Sequence, residues 1–385
     1  MSTLYWLHDD LRLQDNPALA AAAQDDALTM LFCIDEARFN TDRFGNRQMG
    51  AHRWRLLRES LLDLQHSLSE LGQTLNLVTG NPSEIISDLL QTGRFNRVVR
   101  TRQHTSAETM LWQHLTESYP CVSFEQYDGS TLYHQDAITF GDTFPATFTQ
   151  FRKSLDTVAF RPTAAAPTRL PAPTSFELKT RLVQAPTESG LLAGGETAGG
   201  QHLEGYCSTD AASTYKDTRN NVIGERFSTG FSPWLAQGCL SPVQIYERLC
   251  AYESHHGANE STRWILFELM WREFFRWHAS HYGEALFSFT GIAGKRPLTT
   301  FYQERFLKWR DGRTPWPIVN ACMNELKQTG LLSNRGRQIA ASCLVNELAL
   351  DWRCGAGYFE EQLIDYDACS NWGNWQYLAG VGADP

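Results

Sequence analysis

The residues with the most capacity for chemistry crowd the end of the chain, from Leu363 to Gly380. Two carboxylates, Asp365 and Asp367, stand one residue apart, Ser370, Asn371 and Asn374 follow, and Trp372, Trp375 and Tyr377 are set among glycines. Acids, amides and a hydroxyl can hydrogen-bond the edge of a polar ring, and aromatic faces can stack against it. The segment reads as a pocket for a large planar cofactor.

Three further stretches carry groups that could complete such a pocket. Ser261 and Thr262 are N-cap residue types, and the run to Trp277 that follows has helical periodicity, with Glu268, Trp271 and Phe275 at i, i+3 and i+7 on one face. An acid in an aromatic stripe is either paired, with Arg272 in reach at i+4, or has a raised pKa and can give a proton to a ligand. Pairing is the commoner case. Asn334-Arg335-Gly336-Arg337-Gln338 opens an apolar helix expected over Ile339 to Leu350, so amide and guanidinium groups meet a helix N-terminus, either as an anion or polar-ring site or as a plain capped end. In Phe227-Ser228-Thr229-Gly230-Phe231-Ser232-Pro233-Trp234, hydroxyls and a glycine precede a helix, an arrangement that can cradle phosphate.

These groups need a scaffold, and the chain supplies two unlike halves. Short apolar segments at Leu4 to Leu7, Leu28 to Ile34, Leu75 to Val78, Val98 to Val99 and Val122 to Phe124 alternate with helical stretches such as Ala51 to Leu71 and Ser106 to Leu115. That alternation predicts a parallel sheet covered by helices on both faces, which binds ligands at its strand C-terminal ends. No GxGxxG follows the first segment, so no dinucleotide is expected there. Arg161 to Gly200 holds five of the fifteen prolines (Pro162, Pro167, Pro171, Pro173 and Pro186) and a glycine-rich run, which predicts a long connector. Beyond it the chain reads as helical and rich in tryptophan, with eight after residue 250.

Composition narrows the class. A chain of 385 residues with 42% hydrophobic content can bury a large core over about two domains. Nine scattered cysteines show neither a CxxC pair nor a metal-ligand spacing, so disulfides and structural metal are not expected. The first residues lack a basic region followed by an apolar run, and no span approaches the ~20 apolar residues of a membrane helix, which predicts a cytoplasmic protein. A net charge of -9 argues against coating nucleic acid all over, but Lys295 to Arg337 carries nine basic residues against three acidic ones, an excess suited to phosphates or to a solvated helical face.

Taken in order, these stretches resemble the photolyases and cryptochromes. The resemblance begins at Leu4-Tyr5-Trp6 and Asp10-Leu11-Arg12-Leu13-Gln14-Asp15-Asn16-Pro17. It runs through Asp128-Gly129-Ser130-Thr131-Leu132, Thr149-Gln150-Phe151-Arg152-Lys153, Tyr215-Lys216-Asp217-Thr218-Arg219-Asn220, Phe231 to Pro242 and Ser333 to Gln338, and ends at Ile364-Asp365-Tyr366-Asp367. Phe267-Glu268-Leu269, Asn334 to Gln338 and Ser370 to Tyr377 are most similar to the cryptochrome-DASH branch.

The resemblance implies an N-terminal α/β domain with a doubly wound parallel sheet over 1–130, a connector over 131–200 and an all-α, FAD-binding, photolyase-like domain over 201–385. It implies FAD, a folate antenna (5,10-methenyltetrahydrofolate) with Glu108 as its acid, and light-driven repair of cyclobutane pyrimidine dimers, preferentially in single-stranded DNA, by a monomer. Tyr215, Ser228, Thr229, Gly230, Phe231 and Ser232 would hold the FAD phosphates. Arg272, Asn334, Arg337, Asp365 and Asp367 would line the flavin, with Arg337 and Asp365 paired. Asn371 would face flavin N5, where a neutral amide can accept a hydrogen bond from a protonated N5 and so favours reduced states.

At the substrate face the resemblance sets Glu268 against the dimer's carbonyl, Trp271 and Tyr377 as walls, Gln338 on pyrimidine edges and Arg335 on DNA. Extrusion of the lesion costs a few kcal/mol, least from a single strand. Trp375 and Trp352 match the inner and middle members of the family's electron-transfer tryptophans, while Thr299 holds the outer position, leaving Tyr302 or Trp309 as substitutes. Asn320 stands where the family usually has aspartate, and Gly230 where it has a longer side chain. Relatives continue past the position of Pro385, which implies apolar surface left uncovered here. A blue-light photoreceptor that binds FAD without repair is the alternative, and a flavoprotein that binds nucleic acid without turnover is the third reading. Glu268, Trp271, Gln338 and Tyr377 favour the enzyme, because a receptor needs no lesion-binding wall.

Overall fold

A computed structural model describes residues 2–138, 140, 143–174, 190–222, 224 and 228–383. Pro186 of the expected connector and Phe227 of the hydroxyl-rich loop lie outside the described residues.

The five apolar segments form strands β1 (Ser2–Leu7), β2 (Ala27–Ile34), β3 (Leu75–Thr79), β4 (Arg97–Thr101) and β5 (Ser123–Tyr127), all parallel in the order β3-β2-β1-β4-β5. A two-residue strand, β6 (Ala172–Pro173), pairs with β2. Register sets Tyr5 beside Met30 and Leu4 beside Val98. Both faces are buried, as a parallel sheet requires. Tyr5, Leu7, Leu28 and Met30 pack with Leu61, Leu64 and Leu68 of the helix Ala51–Glu70, while Leu4, Trp6, Leu31 and Val98 pack with Ile86, Leu89, Trp112 and Leu115 on the other side. Strand order reverses between β1 and β4, the switch point where such sheets open a ligand crevice.

The stretch expected as connector is more ordered than its prolines suggested. Ahead of the prolines, but within 131–200, the helix Phe148–Ser154 is capped by Thr147 Oγ1 on Gln150 N (3.2 Å) and buries Phe148 and Phe151. The glycine run is interrupted by the helix Glu196–Cys207, and Arg161 is locked bidentately to Asp15 at 2.7 Å, both side chains fully buried.

Beyond residue 200 the described elements are helices, apart from an isolated bridge between Thr300 and Leu350. The long helix Glu260–Tyr282 starts two to three residues earlier than Ser261 and Thr262 suggested. Asn259 is the N-cap, its Oδ1 accepting from Thr262 N (2.9 Å) while Thr262 Oγ1 accepts from Asn259 N (3.1 Å). The helix expected over Ile339 to Leu350 instead runs from Asn334 to Ser342 and widens into a π-turn, Cys343–Glu347. It ends because Ala349 takes a left-handed backbone (φ 51°). The last helix, Ala368–Leu378, sits between Trp352–Gln362 and Glu260–Tyr282. Glycines permit that approach: a Cβ on Gly355 would stand 2.3 Å from Trp375 Cη2, and one on Gly373 would stand 2.4 Å from Phe275 Cδ1. No helix of the described residues is long and apolar enough to cross a membrane.

Candidate functional site

The helical half encloses a cavity of about 580 Å³, within the range of cofactor sites. The helix Ala368–Leu378 forms one wall, turning Ser370, Asn371, Asn374, Trp375 and Leu378 inward at helical spacing. Asp367 caps that helix, its Oδ1 accepting from Ser370 N at 2.8 Å. Asn334 and Arg337 come from the helix Asn334–Ser342, which Ser333 caps through Gly336 N (3.1 Å).

Of the residues expected at the cofactor, Tyr215, Ser228, Gly230, Ser232, Asn334, Arg337, Asp365, Asp367 and Asn371 line this cavity. Arg337 Nη2 donates to Asp365 Oδ2 at 2.8 Å, and Ser232 Oγ donates to the same oxygen at 2.7 Å. Asn371 Nδ2 donates to Ala356 O (3.1 Å), leaving Oδ1 as the acceptor toward a ligand. Trp375, 2% exposed, is also on the wall.

Thr229, Phe231 and Arg272 are not on that lining. Thr229 contributes its carbonyl, which lies 2.8 Å from His202 Nε2; a carbonyl can only accept, so Nε2 carries the proton. Phe231 packs edge-on to Tyr206 and His202. Arg272 is drawn inward to donate to Ser130 O (2.6 Å) and Leu235 O (3.3 Å), and burial together with the neighbouring Arg276 lowers its pKa to about 10, still cationic at neutral pH.

Glu268 lines the same cavity, but its partner is not Arg272. Its Oε1 pairs with Arg219 and accepts from Trp264 Nε1 at 3.0 Å. Burial raises the Glu268 pKa, partly opposed by Arg219 and by the indole bond. Gln338 also lines the cavity, whereas Trp271 does not: it stacks on Phe148, ring centroids 3.8 Å apart and nearly parallel. Tyr377 faces an adjoining open groove that shares Gln338 and Leu378 with the cavity and also holds Arg335. Arg335 is exposed and donates to Gln338 Oε1 (2.8 Å) and Asn220 Oδ1 (3.3 Å). Trp352 is fully buried away from the cavity and donates to Phe289 O (3.1 Å).

Five of the nine basic residues from Lys295 to Arg337 have carboxylate partners, but three carboxylates serve all five, so the stretch keeps a positive excess. Asp311 gathers Arg310, Arg313 and Lys327, Glu304 takes Lys308, and Asp365 takes Arg337. Asn320 is satisfied as an amide: Oδ1 accepts from Thr314 N and Oγ1, and Nδ2 donates to Thr314 O, which a carboxylate could not do.

A second cavity, about 590 Å³, opens at the switch point of the sheet. His8 and Asp9 follow β1, Asp35 follows β2, Asn81 follows β3, and Gln103 and His104 follow β4; Arg276, Glu360, Tyr366, Asp367 and Trp372 close it from the helical half. Glu108 is on this lining, its Oε2 accepting from Thr105 Oγ1 at 2.6 Å. Sequence reasoning missed His202, Arg219 and Arg276. None has a distinctive spacing; each comes to its cavity through contacts distant along the chain.

Comparison with known proteins agrees with this geometry. A family model described as DNA photolyase matches residues 3–173, and one described as the FAD binding domain of DNA photolyase matches 264–385. Cryptochrome DASH of Idiomarina loihiensis is 45% identical over 99% of this chain and 86% of its own length, and that of Xenopus laevis is 40% identical over 98% and 76%. The crystal structure of a Synechocystis cryptochrome superposes with TM-score 0.95 at 38% identity, covering 100% of this chain and 83% of that one. A bacterial class III photolyase from Agrobacterium tumefaciens gives 0.83 at 27%, covering 100% and 81%. The first cavity suits the FAD that the family model implies. Its donors include carboxylate, guanidinium, amide and hydroxyl groups, and Gly230 (φ 68°), where a Cβ would come within 2.9 Å of His202 Nε2, keeps the hydroxyl loop close to that imidazole.

Proposed function

The chain belongs to the photolyase–cryptochrome family, in its cryptochrome-DASH branch, and on that premise we propose that it repairs cyclobutane pyrimidine dimers in light, preferentially in single-stranded DNA. The observation that carries the reading is that Glu268 and Gln338 border the same cavity as Asn371, Asp365 and Arg337. A site that only held a cofactor would have no need of a half-buried carboxylate with a raised pKa at its mouth.

FAD, when bound, supplies the photoexcitable electron donor. The chain's own residues position the reaction. Tyr215, Ser228 and Ser232 offer hydroxyls on the phosphate side, with Thr229, Gly230 and Phe231 shaping the loop. Arg337 and Asp365 offer a fixed guanidinium–carboxylate edge to a planar ring, and Arg272 holds Ser130 and Leu235 behind it. Asn371 Oδ1 is the acceptor facing the flavin.

Glu268 stabilises charge at the pyrimidine carbonyl, by hydrogen bond or proton donation. Gln338 reads the pyrimidine edge with both donor and acceptor. Tyr377 and Arg335 act at the rim, through stacking and phosphate contact, on a lesion flipped from its strand, while Trp271, stacked on Phe148, supports the helix behind Glu268. The second cavity would take the folate antenna, 5,10-methenyltetrahydrofolate, with Glu108 as its acid. The division into 1–130, 131–200 and 201–385, a monomeric state and a cytoplasmic setting belong to the same proposal.

Pre-reduced protein is incubated with thymine-dimer oligonucleotides, single- and double-stranded, under near-UV light, and dimer loss is followed by absorbance. Repair of the single strand, lost in Glu268→Gln at unchanged FAD content, is expected. FAD-loaded protein that repairs neither substrate overturns the proposal and favours the photoreceptor.

A further inference from the structure

The two cavities share a wall. The helix Ala368–Leu378 presents Ala368, Cys369 and Trp372 to the switch-point cavity and Asn371, Asn374, Trp375 and Leu378 to the other. Asp367, at its N-cap, borders both. Its Oδ1 is engaged by Ser370 N, and its Oδ2 accepts from Arg276 Nη2 at 2.7 Å.

Arg276 is 4% exposed and lines the switch-point cavity. Its Nε is buried without a hydrogen-bond partner among the described residues, as are His8 Nε2 and His104 Nε2 on the same lining. Buried polar atoms are ordinarily paired, because leaving one unpaired costs about 1–3 kcal/mol. Three such atoms on residues lining one cavity hold hydrogen-bonding capacity that a polar occupant could take up as the side chains settle against it. Both imidazoles are held neutral, by burial and then by nearby arginines, so their free nitrogens suit an uncharged ring edge, while Arg276 suits an acceptor.

We infer that Arg276 is a positioning residue that couples occupancy of the two cavities. The inference rests on the assignment of FAD to one cavity and a folate to the other. A folate acceptor on Nε completes the guanidinium's hydrogen bonds and fixes its plane. The fixed guanidinium holds the Asp367 carboxylate, and Asp367 holds the first turn of the helix that carries Asn371 and Trp375. An occupant that makes this contact only when the wall is ordered favours the ordered wall, and by linkage FAD and folate raise each other's affinity by the same factor.

The test uses the FAD-loaded protein. FAD release on dilution is read by recovery of flavin fluorescence, with and without saturating 5,10-methenyltetrahydrofolate, whose own binding is scored by its absorbance band. The expected result is FAD affinity raised about fivefold or more by the folate, a typical coupling. In Arg276→Gln both ligands still bind and the ratio falls to near one. Arg276→Lys, which keeps a charge beside Asp367 but loses the planar fork, serves if the glutamine variant fails to fold, and should likewise flatten the ratio. A purely structural role for Arg276 would weaken FAD binding equally with and without folate and leave the ratio unchanged, and that overturns the inference. So does a wild-type ratio of one when both ligands bind. Failure of the folate to bind at all overturns the coupling together with the antenna assignment, and is distinguished by the absent absorbance band.

Discussion

Arg219 and Glu268 form an ion pair at the cavity mouth, 49 residues apart in sequence, with Trp264 donating its indole N–H to the same carboxylate oxygen. Burial pushes the Glu268 carboxyl up and the guanidinium pulls it down. Removing Arg219 leaves only the Trp264 indole bond against burial, so the acid titrates at higher pH. If the protonated form serves the dimer's carbonyl, repair is lost as pH rises through the Glu268 pKa. Arg219→Gln then carries the falling limb of the pH–rate profile to higher pH, and Glu268→Ala lowers repair by about a hundredfold at unchanged FAD content. A pH profile of dimer loss checks both, and an unmoved limb in Arg219→Gln would remove Glu268 as the titrating group.

Asp367 makes the shared wall sensitive to acid. Burial opposes its charge, but Arg276, then Arg272, then the Ser370 bonds outweigh it and hold the carboxyl at about 2 against an ordinary 3.8. A folded pKa below the unfolded one gives stability that is fully present above about pH 4 and is lost as pH falls toward 2. Nearly two pKa units correspond to about 2 kcal/mol. Asp367→Asn should lose about that much at neutral pH and show a flatter stability curve over this window, read from urea midpoints at a series of pH values.

How much was legible follows the range of each interaction. The strands were readable because a doubly buried parallel strand is an apolar run, visible locally at Leu4 to Leu7 and Leu28 to Ile34. The pocket-forming tail was readable because Asp367, Asn371 and Trp375 recur every four residues along one helix and its cap. Glu268 was recognised as anomalous, yet its partner was sought at i+4, where Arg272 instead turns inward to backbone carbonyls. The resemblance set Trp271 as a wall of the site, but Phe148, from the helix Phe148–Ser154, takes its face. The basic run could be counted from the sequence but its arrangement could not: Asp311, a single charge inside it, gathers Arg310, Arg313 and Lys327. Arg276 carried no local signal at all, since its meaning depends on Asp367, 91 residues later.

The tryptophans predict a route that the chain order hides. With Thr299 in the outer position, the ring next to Trp352 is Trp372, centroids 5.6 Å apart, and Trp372 borders the switch-point cavity, donating to Tyr366 Oη at 3.1 Å. Trp309 lies edge-on to Trp375 at 6.3 Å but is fully buried, without an exit. Trp372→Phe should therefore slow photoreduction of bound FAD severalfold, and Trp309→Phe should change it less. Bleaching of the flavin absorbance under blue light with an external thiol measures both, and the reverse order would assign the exit to Trp309.

Gly355 tests whether the position of Trp375 or merely its presence matters. A Cβ there would meet Trp375 Cη2 at 2.3 Å and Cζ3 at 2.8 Å, and Leu344 Cδ1 at 2.9 Å closes the other side. The indole is 2% exposed, packs against Phe359 at 5.1 Å and borders the cavity proposed for FAD, so an added methyl on Gly355 is expected to press it toward that space. Overpacking of this kind costs about 1–3 kcal/mol. Gly355→Ala should lower the denaturation midpoint accordingly and weaken FAD retention, whereas Gly205→Ala, where the added Cβ meets no atom within 4 Å, should change neither. Equal FAD retention in the two variants would show that the indole relaxes away from the cavity, and that its packing against Gly355 does not set the flavin wall.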